Sequence, residues 1–75
     1  MACINPDGTI SASARAALEA AELPITPSDL VKRTGFPLFK VRRIARELME
    51  AGLLSETDQR YQITEAGADK LAHPE

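Results

Sequence analysis

The strongest constraint on the fold is the placement of helix starts and stops in the middle of the chain. Thr26 precedes Pro27, and Asp29 stands three residues after Thr26. A threonine hydroxyl there accepts from an early backbone N–H, and proline suits the first helical position because it has no N–H to leave unpaired. The carboxylate favours the positive end of the helix dipole. Gly35 then supplies a stop in the C′ position. Pro37 opens a longer helix that ends before Gly52, within which Val41, Ile44, Ala45, Leu48 and Met49 recur at i, i+3, i+4, i+7 and i+8. The pattern predicts a short helix over Pro27–Thr34 and the longest helix over Pro37–Ala51, joined by a tight turn at Gly35 that Phe36 anchors.

The flanking segments are weaker but ordered. Asn5-Pro6-Asp7-Gly8 is a turn signal. Ser11 or Ser13 can cap a first helix reaching about Glu22, with Ala14, Ala17, Leu18 and Ala21 on one face and Leu23-Pro24 ending it. After Gly52, Leu53–Glu56 reads as a strand, Thr57-Asp58-Gln59 as a tight connection, and Arg60–Ile63 as the returning strand with Tyr61 and Ile63 on one side. Thr64 can cap a last helix through Leu71, with Ala68, Leu71 and Ala72 turned inward. Gly67 costs that helix about 1 kcal/mol relative to alanine.

At 75 residues this is one domain with a small core, placed at about residues 11–72 between an N-terminal turn segment and a C-terminal tail. Cys3 is the single cysteine and cannot form an internal disulfide, and no Cys/His set exists for a structural metal. No cofactor is implied. His73, the one histidine, sits in the tail, and nothing adjoining Cys3 would activate its thiol. The lack of disulfides, of an export signal and of a membrane-length apolar run points to a cytoplasmic protein with no membrane partner.

Charge is distributed unevenly. Between Leu30 and Arg46 stand Lys32, Arg33, Lys40, Arg42, Arg43 and Arg46, without one acidic residue. The remaining three basic residues face eleven acidic ones, a balance of −8 on the rest of a chain whose net charge is −2. A positive patch on a negative body orients a protein toward a polyanion, whereas solubility alone is served by mixed charge. On the long helix Phe39, Arg43, Arg46 and Glu50 point away from the apolar face, with Lys40, Arg42 and Glu47 flanking. That face is basic at its start and acidic in its last turn, the reverse of what the helix dipole favours.

Helix, short helix, tight glycine turn, long helix, hairpin and short helix is the order of a winged helix-turn-helix. The segment Asp29–Leu54 resembles, without gaps, the core of prokaryotic winged-helix regulators of the MarR/ArsR type. Tyr61-Gln62-Ile63-Thr64-Glu65-Ala66-Gly67 is similar to the end of their wing and the start of the next helix, and the likeness spans roughly Ser11 to Ala72. The resemblance implies a mainly α fold with a three-helix core, a two-stranded wing and a short C-terminal helix. It implies a DNA-binding transcriptional regulator whose recognition helix, Pro37–Ala51, enters the major groove of double-stranded DNA. Lys40, Arg42 and Arg43 would contact bases or phosphates, and Arg46 a phosphate one turn on. Lys32 and Arg33 would approach the flanking backbone, and Arg60 the minor groove. Such regulators commonly carry Ser or Thr where this chain has Pro37-Leu38-Phe39, and the acids Glu56 and Asp58 on the wing repel phosphate.

Phe39 divides the functional readings. It can contact a thymine methyl in a DNA complex, anchor a protein interface, or fold back against Phe36 and the first two helices. Partial burial is the plainest expectation for so large an apolar side chain. The second reading is a winged-helix module that binds an acidic protein partner through Leu38 and Phe39 with the arginines as a steering rim. A third is redox or metal sensing through Cys3 in a dimer. Tight specific DNA binding would require a homodimer, since one such domain reads one half-site. An enzyme is not expected: no Ser/His/Asp set or phosphate-binding glycine loop is present, and Glu47 and Glu50 lie on an open helix face.

Overall fold

The structure, a computed structural model, describes residues 10–72, so the Asn5–Gly8 turn, Cys3 and His73 lie outside the described residues. Helix α1 spans Ala12–Ala20 and begins where Ser11, in extended backbone, accepts a hydrogen bond from the Ala14 N–H at 3.1 Å. It stops two residues short of Glu22. The Ala21 N–H is shared between the Ala17 and Leu18 carbonyls, both at 3.1 Å, which tightens the last turn. Pro24 then disfavours helical backbone at the residue before it.

Helix α2 spans Pro27–Thr34, with Thr26 Oγ1 accepting from the Asp29 N–H at 3.1 Å. Gly35 ends it at φ 77°, its N–H donating to the Val31 carbonyl at 2.8 Å. The Thr34 hydroxyl donates to the Leu30 carbonyl at 2.7 Å and accepts from the Phe36 N–H at 3.2 Å, which ties the turn to the helix it leaves. Helix α3 spans Leu38–Glu50. It is one residue shorter at each end than the pattern predicted, because Pro37 and Ala51 serve as its caps.

Strands β1 (Leu54–Thr57) and β2 (Arg60–Ile63) form an antiparallel hairpin in register from Leu54↔Ile63 to Thr57↔Arg60. Its two-residue turn, Asp58-Gln59, has φ 53° and 62°, the positive pair that a tight hairpin turn demands. Strand β1 starts one residue later than expected, since the Leu53 N–H donates to the Leu48 carbonyl at 2.9 Å and so closes the end of α3. A further rung was not predicted. Ile25 and Tyr61 form an antiparallel bridge, their N–H groups donating to each other's carbonyls at 2.9 and 2.7 Å.

Helix α4 spans Glu65–Ala72 and is capped by Thr64, whose hydroxyl accepts from the Gly67 N–H at 3.1 Å and donates to the Gly52 carbonyl at 2.7 Å. Its inner face differs from the expected one. Gly67 is buried and Leu71 half-buried, while Ala68 and Ala72 are exposed. A Cβ at Gly67 would collide with the Leu53 carbonyl oxygen and stand 2.7 Å from Ile63 Cγ1, so the helix packs through its glycine.

The fold is thus mainly helical with a two-stranded antiparallel hairpin. Leu18, Leu30, Val41 and Leu48, contributed by α1, α2 and α3, are the largest fully buried side chains, and Leu53, Leu54 and Tyr61 extend the core under the hairpin. Among the described residues no helix is long and apolar enough to cross a membrane, and no group of His, Cys, Asp and Glu is placed to hold a metal ion.

Candidate functional site

The most distinctive surface is the outer face of α3. Val41, Ile44, Ala45 and Leu48 fix the rotation of the helix by burying in the core. With that face committed, the 100° step per residue leaves Phe39, Arg43 and Arg46 on one outward strip, with Arg42 beside it. All four are exposed. Glu47 is half-buried, and Glu50 is the first exposed acid along the helix. The outward strip therefore presents guanidinium groups and one aromatic ring ahead of the exposed Glu50, with the half-buried Glu47 on its flank.

The burial expected for Phe39 is not found. Its side chain is 73% exposed, and the preceding Leu38 is 43% exposed. The reason is the rotation of α3: with Val41, Ile44 and Leu48 in the core, the helical step turns Phe39 outward. In the neighbouring turn Phe36 is half-buried against the core. Its outer ring face is covered by Lys40, whose Nζ sits 4.3 Å from the ring centroid. Lys40 is thus placed over Phe36 and half-buried, whereas Arg42, Arg43 and Arg46 are exposed.

The structure sorts the basic residues into separate settings. Arg42 and Arg60 border an open groove of about 590 Å³ between the start of α2, the start of α3 and the hairpin, together with Ser28, Leu38, Glu56 and Tyr61. Arg60 stands at the hairpin end as expected, exposed and paired with Thr57 across the strands. Lys32 and Arg33, in the last turn of α2, border a hollow that they share with Glu19, Glu22 and Asp29. Lys32 and Arg33 therefore border a different hollow from Arg42 and Arg60.

Tyr61 ties the groove to the core. It is buried, bridges Ile25 through its backbone, and lies opposite Glu56 in the hairpin register. Burial pushes its phenol above the ordinary value of 10.0, and the Glu56 carboxylate pushes the same way, while the Arg42 guanidinium pulls it down. Glu56 and Arg42 thus act on one hydroxyl from the two sides of the groove. The sequence places Tyr61 and Ile63 on one side of the returning strand. The place of Tyr61 between an acid and an arginine depends on α3 and the hairpin meeting, which no local signal encodes. The arrangement offers cationic and apolar contacts on an open surface. Compared with models of known protein families the chain matches none, and no curated protein matches it with significance.

Proposed function

We propose that this protein is a DNA-binding module of the winged helix-turn-helix kind, with α3 as the recognition helix and the β1–β2 hairpin as the wing. The observation that carries the reading is the outer strip of α3, where Arg42, Arg43 and Arg46 are exposed and no exposed acid precedes Glu50. Guanidinium groups in that arrangement suit phosphates and guanine edges, and the reversed helix polarity would otherwise be a small cost without return. The tight αL turn at Gly35 supports it by joining α2 to α3 with two residues between Gly35 and Leu38. In this reading Arg42, Arg43 and Arg46 supply most of the affinity, Lys32 and Arg33 approach the flanking backbone, and Lys40 acts from over Phe36. Phe39 contacts a thymine methyl, and Arg60 provides what the acidic hairpin can offer to the minor groove. A role in transcription regulation, and dimerisation on a two-fold site, follow from the resemblance to MarR/ArsR-type regulators and belong to the same proposal.

The test is a titration of isotope-labelled protein with a generic duplex at low and moderate salt, following backbone amides. Shifts confined to residues 32–46 and Arg60 are expected. If about five cations neutralise phosphates, log K falls with log salt at a slope near −4 to −5. Arg43→Gln should weaken binding to all sequences and reduce that slope by about 1. No response at low salt would end the DNA reading.

One observation favours a second reading. Phe39 projects into solvent beside Arg43, with Leu38 partly exposed next to it, which is the make-up of a protein-docking surface with a basic rim. In that case Phe39→Ala would abolish binding to an acidic partner while leaving the fold intact.

A further inference from the structure

The three large apolar side chains that stand exposed among the described residues are Leu23, Leu38 and Phe39. They belong to two patches, one basic and one of mixed charge. Leu38 and Phe39 lie among Arg42, Arg43 and Arg46. Leu23 lies beyond the end of α1, where it borders a hollow with Glu19 and Glu22. The same two glutamates rim a second, neighbouring groove between α1 and α4, of about 460 Å³, whose floor is Ile63, Ala68, Leu71 and Ala72. That groove has an apolar floor and two carboxylates, and no cation lines it among the described residues. The Leu23 hollow is less selective, because Lys32 and Arg33 close its far side.

We propose that the α1–α4 groove receives the Phe39 strip of a second copy of this chain. The ring would lie on Ile63 and Leu71, and Arg43 and Arg46 would meet Glu19 and Glu22. The inference rests on the protein-docking reading of the Phe39 face and is independent of DNA binding. The occupant is argued from charge: an apolar floor with an acidic rim calls for an apolar anchor with a basic rim, and α3 of another copy carries one. Partner and receptor are different surfaces, so the contact is head-to-tail and leaves one free strip and one free groove at the ends of every chain. One helix strip on one short groove buries less than the roughly 1,000 Å² of a stable interface, so the association is weak and salt-sensitive. If the same arginines also meet DNA, a copy seated on them blocks that face, and self-association opposes DNA binding.

The experiment is sedimentation without DNA, across protein concentration up to about 1 mM and at low and moderate salt, the range in which weak contacts register. The wild-type mass should rise above the monomer with concentration and return to it with salt. Glu19→Lys with Glu22→Lys removes the receptor, and Phe39→Ser removes the anchor; all three positions are exposed, and circular dichroism checks that each variant is folded. Each variant alone should stay monomeric, and a mixture of the two should give a 1:1 dimer that grows no further, because each contributes the surface the other lacks. A wild-type monomer at every concentration overturns the proposal. Association that Phe39→Ser abolishes but the double lysine variant retains also overturns it, while leaving Phe39 as an anchor on another surface. Association that neither variant affects removes the docking reading of Phe39 as well.

Discussion

Gln59 holds φ at 62° in the second position of the hairpin turn, and Asp58 holds 53° in the first. Left-handed backbone costs an L-residue of ordinary shape about 1–2 kcal/mol, less where a short polar side chain such as aspartate supports itself locally. Glycine avoids that cost but loses some of the gain to its freer unfolded chain. Gln59→Gly should therefore stabilise the protein by about 0.5–1 kcal/mol, read as a higher midpoint of urea unfolding at unchanged slope. Gly67 argues in the opposite direction. Helix propensity alone makes Gly67→Ala worth about 1 kcal/mol of stabilisation. The Leu53 carbonyl and Ile63 occupy the space a methyl would need, and the carbonyl is held by the Thr64 N–H at 3.1 Å. Gly67→Ala should destabilise by about 1–3 kcal/mol, the range for overpacking. The two turn residues were legible as a turn but not as strained, since the connection could have taken three residues. Gly67 was legible only as a liability, because the carbonyl it accommodates comes from a residue fourteen positions earlier.

The helices of this chain start on hydroxyls wherever one is available. Ser11, Thr26 and Thr64 each accept from a backbone N–H three residues on, and α3, starting on Pro37, has no side-chain cap. These starts were readable from local residue types because capping is a local hydrogen bond. Thr64 does more than its neighbours, since its hydroxyl also donates to the Gly52 carbonyl twelve residues away. It thereby joins the end of the α3 turn to the start of α4. Thr64→Val keeps the shape and removes both bonds. It should cost about 1–2 kcal/mol, combining a lost cap with a lost hydrogen bond. For a domain of this size that is a fall in Tm of very roughly 5–15 °C, measured by thermal unfolding. The outward strip of α3 was legible from periodicity, and Arg42, Arg43 and Arg46 are exposed as the 3.6-residue repeat requires. The same repeat turns Phe39 outward, and the burial expected from its size and apolarity does not occur.

Tyr61 joins the parts of the molecule that are distant in sequence: the Ile25 bridge, the hairpin and the Arg42 side of α3. Burial first, and Glu56 second, favour its neutral phenol, Arg42 opposing, and the net effect raises its pKa above 10.0. The unfolded chain then loses this proton first as pH rises. The stabilisation from the neutral buried phenol is full below about pH 10 and is lost as pH rises through the folded-state value. Unfolding free energies compared at about pH 8 and about pH 11 should show a loss in the wild type that Tyr61→Phe reduces, since the variant has no phenol to ionise.

The residues along the chain determined what depends on near neighbours: where helices begin and end, which face of α3 turns to the core, where the chain reverses into a hairpin, and the concentration of positive charge between Leu30 and Arg46. Capping, proline and glycine geometry and amphipathic period all act within a few residues, so they survive being read in one dimension. Tertiary structure alone decided the rest. It set Lys32 and Arg33 beside one hollow and Arg42 and Arg60 beside another, made Gly67 a contact, brought the charges of Glu56 and Arg42 to bear on the buried Tyr61, and left Phe39 in solvent and an acid-rimmed groove between α1 and α4. Each of these is set by which surfaces are already occupied when the elements meet, and space filled by one side chain is a property of the packed chain that no local stretch of it contains.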